Sequence, residues 1–574
     1  MQNTTSHPTL PDPLLQNHLL KSDGQLTQQD ESNSTPTSNP LRTARSLVLL
    51  QLLSRLLTFG LNQALLRLAS PTVFGTAAIQ FDLICSSILF LSREGIRNAL
   101  LRIKSSTSQK DKEDNVLETQ LQSLSIVPLQ LGIAIATILS SIYLYTSDEA
   151  TTSQSHFHAS LLLYIIASLM ELSIEPLYIK IHRFQQPKLN VRVQAEGGMA
   201  ILRSIVTVSS LIGFGEKNAL LSFALGQIAG TIWLVTRYLR EFEWDIRTLF
   251  WVKSIKDEKR FNPDTLSLAI ANTGQSFIKH ILTEADRIAV SRICPLDGQG
   301  GYAVAMNYGS LIARIVFQPL EESLLLHYSS SLSSPSILPL YTLTIRLSLY
   351  LTLIMRTFVP PLYPAISPFL LPKQYQSTTA PSILRLYLTT YIPLMSLNGV
   401  SESFVTSSAS SDEIKKQARW MISSSGIFAI TLFLLTHLPE LWITDNSTEK
   451  SRAIGTFLLN PTKEESLILA SCSAMLIRII FSLFHAKKTF DLRKPNLRYR
   501  DLLPDLKIFI WTWIVWLSLK LLANRERWVS SWKGWIELVG LGGILGLITL
   551  GFIFLAERGK LKDLRNSSKG VKIE

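Results

Sequence analysis

The chain has 574 residues, with 56 Lys and Arg against 43 Asp and Glu for a formal net charge of +13, and its mean hydropathy is +0.22. Charged residues make up only 17%, against roughly 25% in an ordinary soluble domain. That excludes a disordered chain, and a total of three cysteines excludes a disulfide-stapled secreted scaffold.

Residues 1–45 are rich in Ser, Thr, Asn, Gln and Pro and read as a solvated tail. They lack the apolar stretch and small-residue cleavage site of a secretory signal, so the first spanning helix is expected to target the chain itself. Beyond them, apolar runs close to the ~20 residues that span lipid succeed one another, which predicts an all-α polytopic membrane protein. About fourteen segments are expected: 46–68, 73–100, 121–145, 159–181, 197–213, 218–239, 265–291, 302–328, 339–358, 381–405, 419–438, 466–486, 506–523 and 536–556. The prolines 360, 361, 364, 368 and 372 are expected to interrupt the ninth and tenth.

Loop charge predicts orientation. One set of loops collects Lys and Arg, notably 180–192, 237–260 and 487–500, and both tails join it. The opposite set is poor in cations, with 439–465 and the stretch around Arg525, Arg527 and Lys533 as mild exceptions. Cation-rich loops stay cytosolic, so both termini are expected in the cytosol. The basic residues are divided among many short loops, which argues against nucleic acid as a partner. Asn446-Ser447-Thr448 is a glycosylation sequon on the expected luminal side, whereas those at Asn3, Asn33 and Asn566 fall in cytosolic tails.

Four segments carry polar residues at helical spacing. Gln51, Arg55, Thr58 and Asn62 share one face of the first; Asn272, Gln275, Lys279, Thr283 and Asp286 share one face of the seventh. Asp82, Ser86, Arg93 and Arg97 mark the second, and Asn307, Ser310, Arg314, Gln318 and Glu321 the eighth. Polar faces inside a bilayer line something wet or pair with one another. Segments 1 and 2 open a first group of six, and 7 and 8 a second. The expected organisation is therefore a tail (1–45), a six-helix lobe (46–240), a basic linker (241–264), a second six-helix lobe (265–490), an appended helix pair (491–556) and a basic tail (557–574). Two pseudo-symmetric lobes would enclose a central cavity, as in transporters built from repeats. Trp511, Trp513, Trp516, Trp528, Trp532 and Trp535 of the appended pair suit an interfacial belt.

Chemistry motifs are scarce. The sequence has no phosphate loop ending in Gly-Lys-Ser/Thr and no paired-His helix, so neither a nucleotide, a metal nor another cofactor is expected. Cys85, Cys294 and Cys472 read as packing residues, and His280 as structural rather than a proton relay. Glu171 and Glu175, one turn apart, read as an interhelical pairing rather than an ion site. Asp82, Glu284, Glu321 and Glu322 are candidates for ion coupling or structural pairing. Glu284-Ala285-Asp286 is similar to the acidic pair of membrane-embedded glycosyltransferases, but it lies within a spanning segment, so a non-enzyme is the preferred reading.

Several strings resemble the eukaryotic Rft family of dolichol-linked oligosaccharide translocation proteins, within the superfamily of multidrug and polysaccharide-lipid flippases. They are SRLLTFGLNQALLR at 54–67, LFLSREGIRNALLR at 89–102, RVQAEGGMAILRSIVT at 192–207, LTEADRIAVS at 282–291, NYGSLIARIVFQPLEES at 307–323 and NGVSESF at 398–404. The resemblance spans roughly 46–490 and fades beyond. It implies an endoplasmic-reticulum membrane protein that moves a pyrophosphate-linked mannose–chitobiose oligosaccharide on dolichol from the cytosolic to the luminal leaflet for N-glycosylation. Its partners would be that lipid and the bilayer. The stripes then supply candidates: Arg55, Arg93, Arg97, Lys279 and Arg314 for the pyrophosphate, and Asn62, Asn272, Gln275, Asp286 and Asn307 for sugar hydroxyls. Two rivals remain: an accessory protein that binds the lipid-linked sugar without moving it, and an ion-coupled exporter of small molecules on the same fold.

Overall fold

The computed structural model describes residues 59–102, 112–183, 189–244, 260–330, 337–443, 461–493, 497–523 and 532–570, and among them no strand occurs. Ten helices in these residues are long and apolar enough to cross a bilayer. The four further expected segments, 46–68, 265–291, 302–328 and 381–405, are not in that group. The first lies largely outside the described residues, and the other three form helices whose polar residues dilute their apolar character. The mean of a polar stripe and an apolar back is low, although the back alone can face lipid.

Helix starts reflect local chemistry. Asn262 caps Pro263–Ile293, its side chain accepting from the Asp264 and Thr265 backbone N–H groups at 3.1 Å each, with proline at the first helical position. Thr462 and Glu465 form a reciprocal capping box at the head of Lys463–Arg493, with bonds of 3.1 and 3.3 Å.

The proline cluster behaves differently from expectation. Ile337–Leu370 runs as one helix through Pro360, Pro361, Pro364 and Pro368, and the next expected segment begins only at Ala380. Neighbouring helices support its end: Tyr308 donates its hydroxyl to the Leu370 carbonyl at 2.8 Å, and Arg67 reaches the Phe369 carbonyl at 3.4 Å. Pro319 and Pro393 each remove the backbone donor that Ile315 and Thr389 would need. Those carbonyls lie in π-helical turns, Ala313–Phe317 and Tyr387–Tyr391. A third π turn, Thr76–Phe81, precedes Asp82 with no proline after it.

The helices Pro71–Gly75 and Leu296–Ile312 meet head to head. A Cβ on Gly75 would lie 2.6 Å from the Leu296 carbonyl oxygen and 2.8 Å from the Gly300 nitrogen, and one on Gly300 would run into Pro71. The contact is reciprocal: Gly75 is separated from Gly300 by as many residues as Pro71 from Leu296. Beside it, Tyr143 donates to Gln80 (2.6 Å), Gln80 to Gln299 (2.8 Å), and Gln299 to the Cys294 carbonyl (2.9 Å), a satisfied chain within an apolar core. Asp82–Arg102 packs along Pro263–Ile293.

The last two helices, Leu506–Ala523 and Trp532–Gly570, pack on Ile337–Leu370. Glu557 accepts from Tyr350 at 2.6 Å and pairs with Arg346 at 3.1 Å near one end, and Trp535 donates to the Ala365 carbonyl at 2.7 Å near the other. Trp511 donates to Thr549 at 3.0 Å, so Trp511 and Trp535 act as ties between helices.

Candidate functional site

A cavity of about 410 Å³ lies between helices of residues 62–223 and helices of residues 287–307. Its polar lining comprises Asn62, Asp82, Glu196, Arg203, Ser204, Thr207, Arg287 and Asn307, and its apolar lining includes Phe74, Ile79, Met199, Phe223 and Met306. Asn62 donates to Asn307 at 3.1 Å across it. The π turn Thr76–Phe81 delivers Asp82 to this space, where it meets Arg203 of Leu189–Phe214 at 2.8 Å, both side chains 33% exposed. Arg287 Nη1 stands 3.3 Å from Glu284 of its own helix. Asn62 is as far from Arg287 in sequence as Asp82 is from Asn307, and the reciprocal glycines keep that same spacing. A duplicated arrangement places matched positions in one chamber in this way.

The candidates named from sequence divide accordingly. Asn62 and Asn307 line the cavity together, and Asp82 joins them. Arg55, with Gln51 and Thr58, lies outside the described residues, as does the side chain of Arg314, whose backbone forms part of a π turn. Arg93 and Arg97 are engaged within the first half. Arg93 contacts Glu171 at 2.7 Å and Glu175 at 3.5 Å; Arg97 Nε donates to Glu175 at 3.1 Å, and its guanidinium lies 3.7 Å over the Tyr178 ring. The interhelical pairing expected of Glu171 and Glu175 is therefore present.

Asn272 is buried, whereas Gln275 and Lys279 are exposed, the Lys279 ammonium 5.9 Å from the Phe90 ring centre. Asp286 is half-buried and accepts the Arg287 backbone N–H at 3.0 Å. Glu321 packs against Gly399, and Glu322 accepts from Gln318 at 3.2 Å. Asn446 lies outside the described residues. His280 is buried, shares a 2.8 Å hydrogen bond with Ser87 and stacks on Phe90, and the three cysteines are buried, all consistent with structural roles. Among the described residues no cluster of His, Cys, Asp and Glu could hold a metal ion.

Sequence reasoning missed Arg203 and Arg287. Glu196, Arg203 and Thr207 succeed one another at seven and four residues and so share a face, but three polar side chains spread over twelve residues among glycines and apolar residues make a weak stripe. At 286–287 the acidic neighbour was placed on the stripe, and one residue along a helix turns the side chain by roughly 100°. Glu402, which accepts from Arg478 at 2.6 Å in the second half, was also missed, although it lies within NGVSESF.

The sequence profile of the family described as Rft protein matches residues 39–443. A Schizosaccharomyces pombe protein named Man(5)GlcNAc(2)-PP-dolichol translocation protein RFT1 is 31% identical over 507 residues, covering 84% of this chain and 89% of its own length. The Saccharomyces cerevisiae protein of the same name is 28% identical over 491 residues, 76% of this chain and 81% of its own. Among solved structures, the lipid II flippase MurJ in an inward closed conformation is similar, with a TM-score of 0.57 at 13% identity, covering 90% of this chain and 99% of that one. At that identity the likeness is one of fold.

Proposed function

This chain belongs to the Rft protein family, and on that premise we propose that it carries a dolichol-pyrophosphate-linked mannose–chitobiose oligosaccharide from the cytosolic to the luminal leaflet of the endoplasmic reticulum membrane. The observation that carries this reading is the polar cavity between helices of the two halves, lined on one side by Phe74 next to the reciprocal glycine contact. A sugar head and a charged pyrophosphate cannot cross hydrocarbon unaided, because each unpaired polar group there costs several kcal/mol. A chamber that offers amides and guanidiniums supplies the missing partners while the dolichol stays in lipid. Asn62 and Asn307 are the sugar-facing amides of this reading. Arg55, Lys279 and Arg314 remain candidates for the phosphates, and in this reading both termini face the cytosol. The two six-helix halves rock about the chamber, exposing it to each side in turn.

No step makes or breaks a covalent bond, so the protein acts as a carrier. Consumption of the lipid on the luminal side suffices to draw it downhill. Purified protein reconstituted in liposomes with the lipid-linked oligosaccharide tests the reading: transbilayer movement above that of protein-free vesicles is expected. Binding without movement would instead establish the accessory role, and movement only under a proton or sodium gradient the coupled exporter.

A further inference from the structure

We propose that Arg203 is the principal pyrophosphate-binding residue of the cavity, with Arg287 as its second, and that Asp82 is a built-in competitor which holds Arg203 until the phosphate replaces it. This rests on the proposed carriage of a pyrophosphate-linked lipid and names the group that would recognise its charge.

Three observations converge on Arg203. It lines the cavity, whereas Arg93 and Arg97 spend their donors on Glu171 and Glu175, the latter 1% exposed. A pairing sealed that far from water is not exchanged for a ligand, because removing one partner strands a charge in a low dielectric. By contrast Arg203 and Asp82 each keep a third of their surface open, and they meet through a single 2.8 Å contact. A guanidinium has five donors in a planar fork suited to two phosphate oxygens, and one Asp82 oxygen with the neighbouring Tyr164 hydroxyl occupies only part of it. Arg287 is held still more loosely, by a 3.3 Å contact to Glu284 one turn away on its own helix, and it too lines the cavity.

The placement of Asp82 explains why it yields. It stands where the π turn Thr76–Phe81 gives way to the α-helix Asp82–Arg102, so its position depends on that irregular turn. When the cavity is empty, Asp82 neutralises Arg203. When a pyrophosphate arrives, the phosphate, with more oxygens and more charge, takes the guanidinium and the carboxylate turns to solvent. Exchange of partners lowers the net affinity below that of a bare arginine. A carrier gains from this, since a ligand must be held firmly enough to enter and weakly enough to leave.

The test uses the full-length protein in detergent, titrated with inorganic pyrophosphate and with a polyprenyl pyrophosphate, binding being read by calorimetry. Asp82→Asn keeps the amide oxygen as an acceptor for Arg203 but removes the competing charge, so both probes should bind about tenfold tighter. Arg203→Ala should weaken both by tenfold or more, with Arg203→Lys intermediate, because an ammonium lacks the fork. Unchanged or weaker binding in Asp82→Asn overturns the proposal, and that variant decides alone should Arg203→Ala fail to fold. Tighter binding of the polyprenyl probe than of the inorganic one ties the site to the lipid, and equal binding overturns that tie. The outcome is separable from the liposome assay: the affinity order holds for an accessory protein as well, and movement unaltered by Asp82→Asn with unaltered affinity sinks this inference alone.

Discussion

Glu175 shows what a single buried charge does in this bundle. Its side chain is 1% exposed and meets both Arg93 and Arg97, while the Arg97 guanidinium also lies over Tyr178. Desolvation of such a carboxylate is offset only while both partners stay, so Glu175→Ala should destabilise the protein by about 3–5 kcal/mol in denaturant unfolding. Replacing Arg97 and Glu175 together by methionine should cost less than the two single changes summed; strict additivity would refute a bracing pair. Glu413 is a second case, outside the spanning segment. Its carboxylate is held below the usual range, first by the Ser410 backbone N–H at 3.0 Å, with burial opposing and His485 and Lys488 assisting. A depressed acid contributes stability above its unfolded pKa and loses it as pH falls through the folded value. The excess thermal stability of wild type over Glu413→Gln should therefore be present near neutrality and be lost as acidification passes the folded value. A gap that persists in acid would place the contribution elsewhere.

At the scale of elements, the head-to-head contact of Pro71–Gly75 with Leu296–Ile312 is demanding, because the opposing atoms are backbone and cannot rotate away. Gly300→Val should force the helix starts apart. A cysteine at position 307, labelled with an impermeant reagent from the side of that contact, should react several-fold faster in this background than beside the native glycine. Equal rates would show that the glycines do not close the chamber. Such contacts explain what sequence could and could not convey. The spacing of Asn62, Asp82 and Asn307 marked them as polar positions on apolar helices, and all three reach the cavity. The same rule also selected Arg93 and Arg97, since periodicity finds the polar face but not what stands opposite it. Arg203 needed the partner helix to be known, for its significance comes from Asp82, far away in sequence. The π turns blur the spacing further, because each adds a residue to a turn and re-aims the side chains beyond it. Pro319 and Pro393 signal two of them, whereas Thr76–Phe81 has no such mark.

For the whole molecule, the direction of transport depends on which face of the bundle meets the cytosol, and the charge pattern carries that reading. The cation-rich loops 180–192, 237–260 and 487–500 alternate with loops that are poorer in cations, and the C-terminal stretch contributes Arg558, Lys560, Lys562, Arg565, Lys569 and Lys572. Lysine and arginine near the ends of spanning helices resist translocation, so we propose that these loops and both tails share the cytosolic side. That proposal expects the Asn446 sequon in the lumen and the Asn566 sequon in the cytosol. Only a sequon that enters the lumen meets the transferase, which makes the two asparagines opposed reporters of one geometry. In microsomes the protein should carry a single endoglycosidase-sensitive glycan that Asn446→Gln abolishes and Asn566→Gln leaves intact. The opposite pattern would invert the bundle and turn the end that holds the Gly75–Gly300 contact toward the cytosol. Inversion would leave the cavity, its arginines and its carboxylate intact but exchange the leaflets that its two ends face, so the direction of carriage read from the loops would reverse.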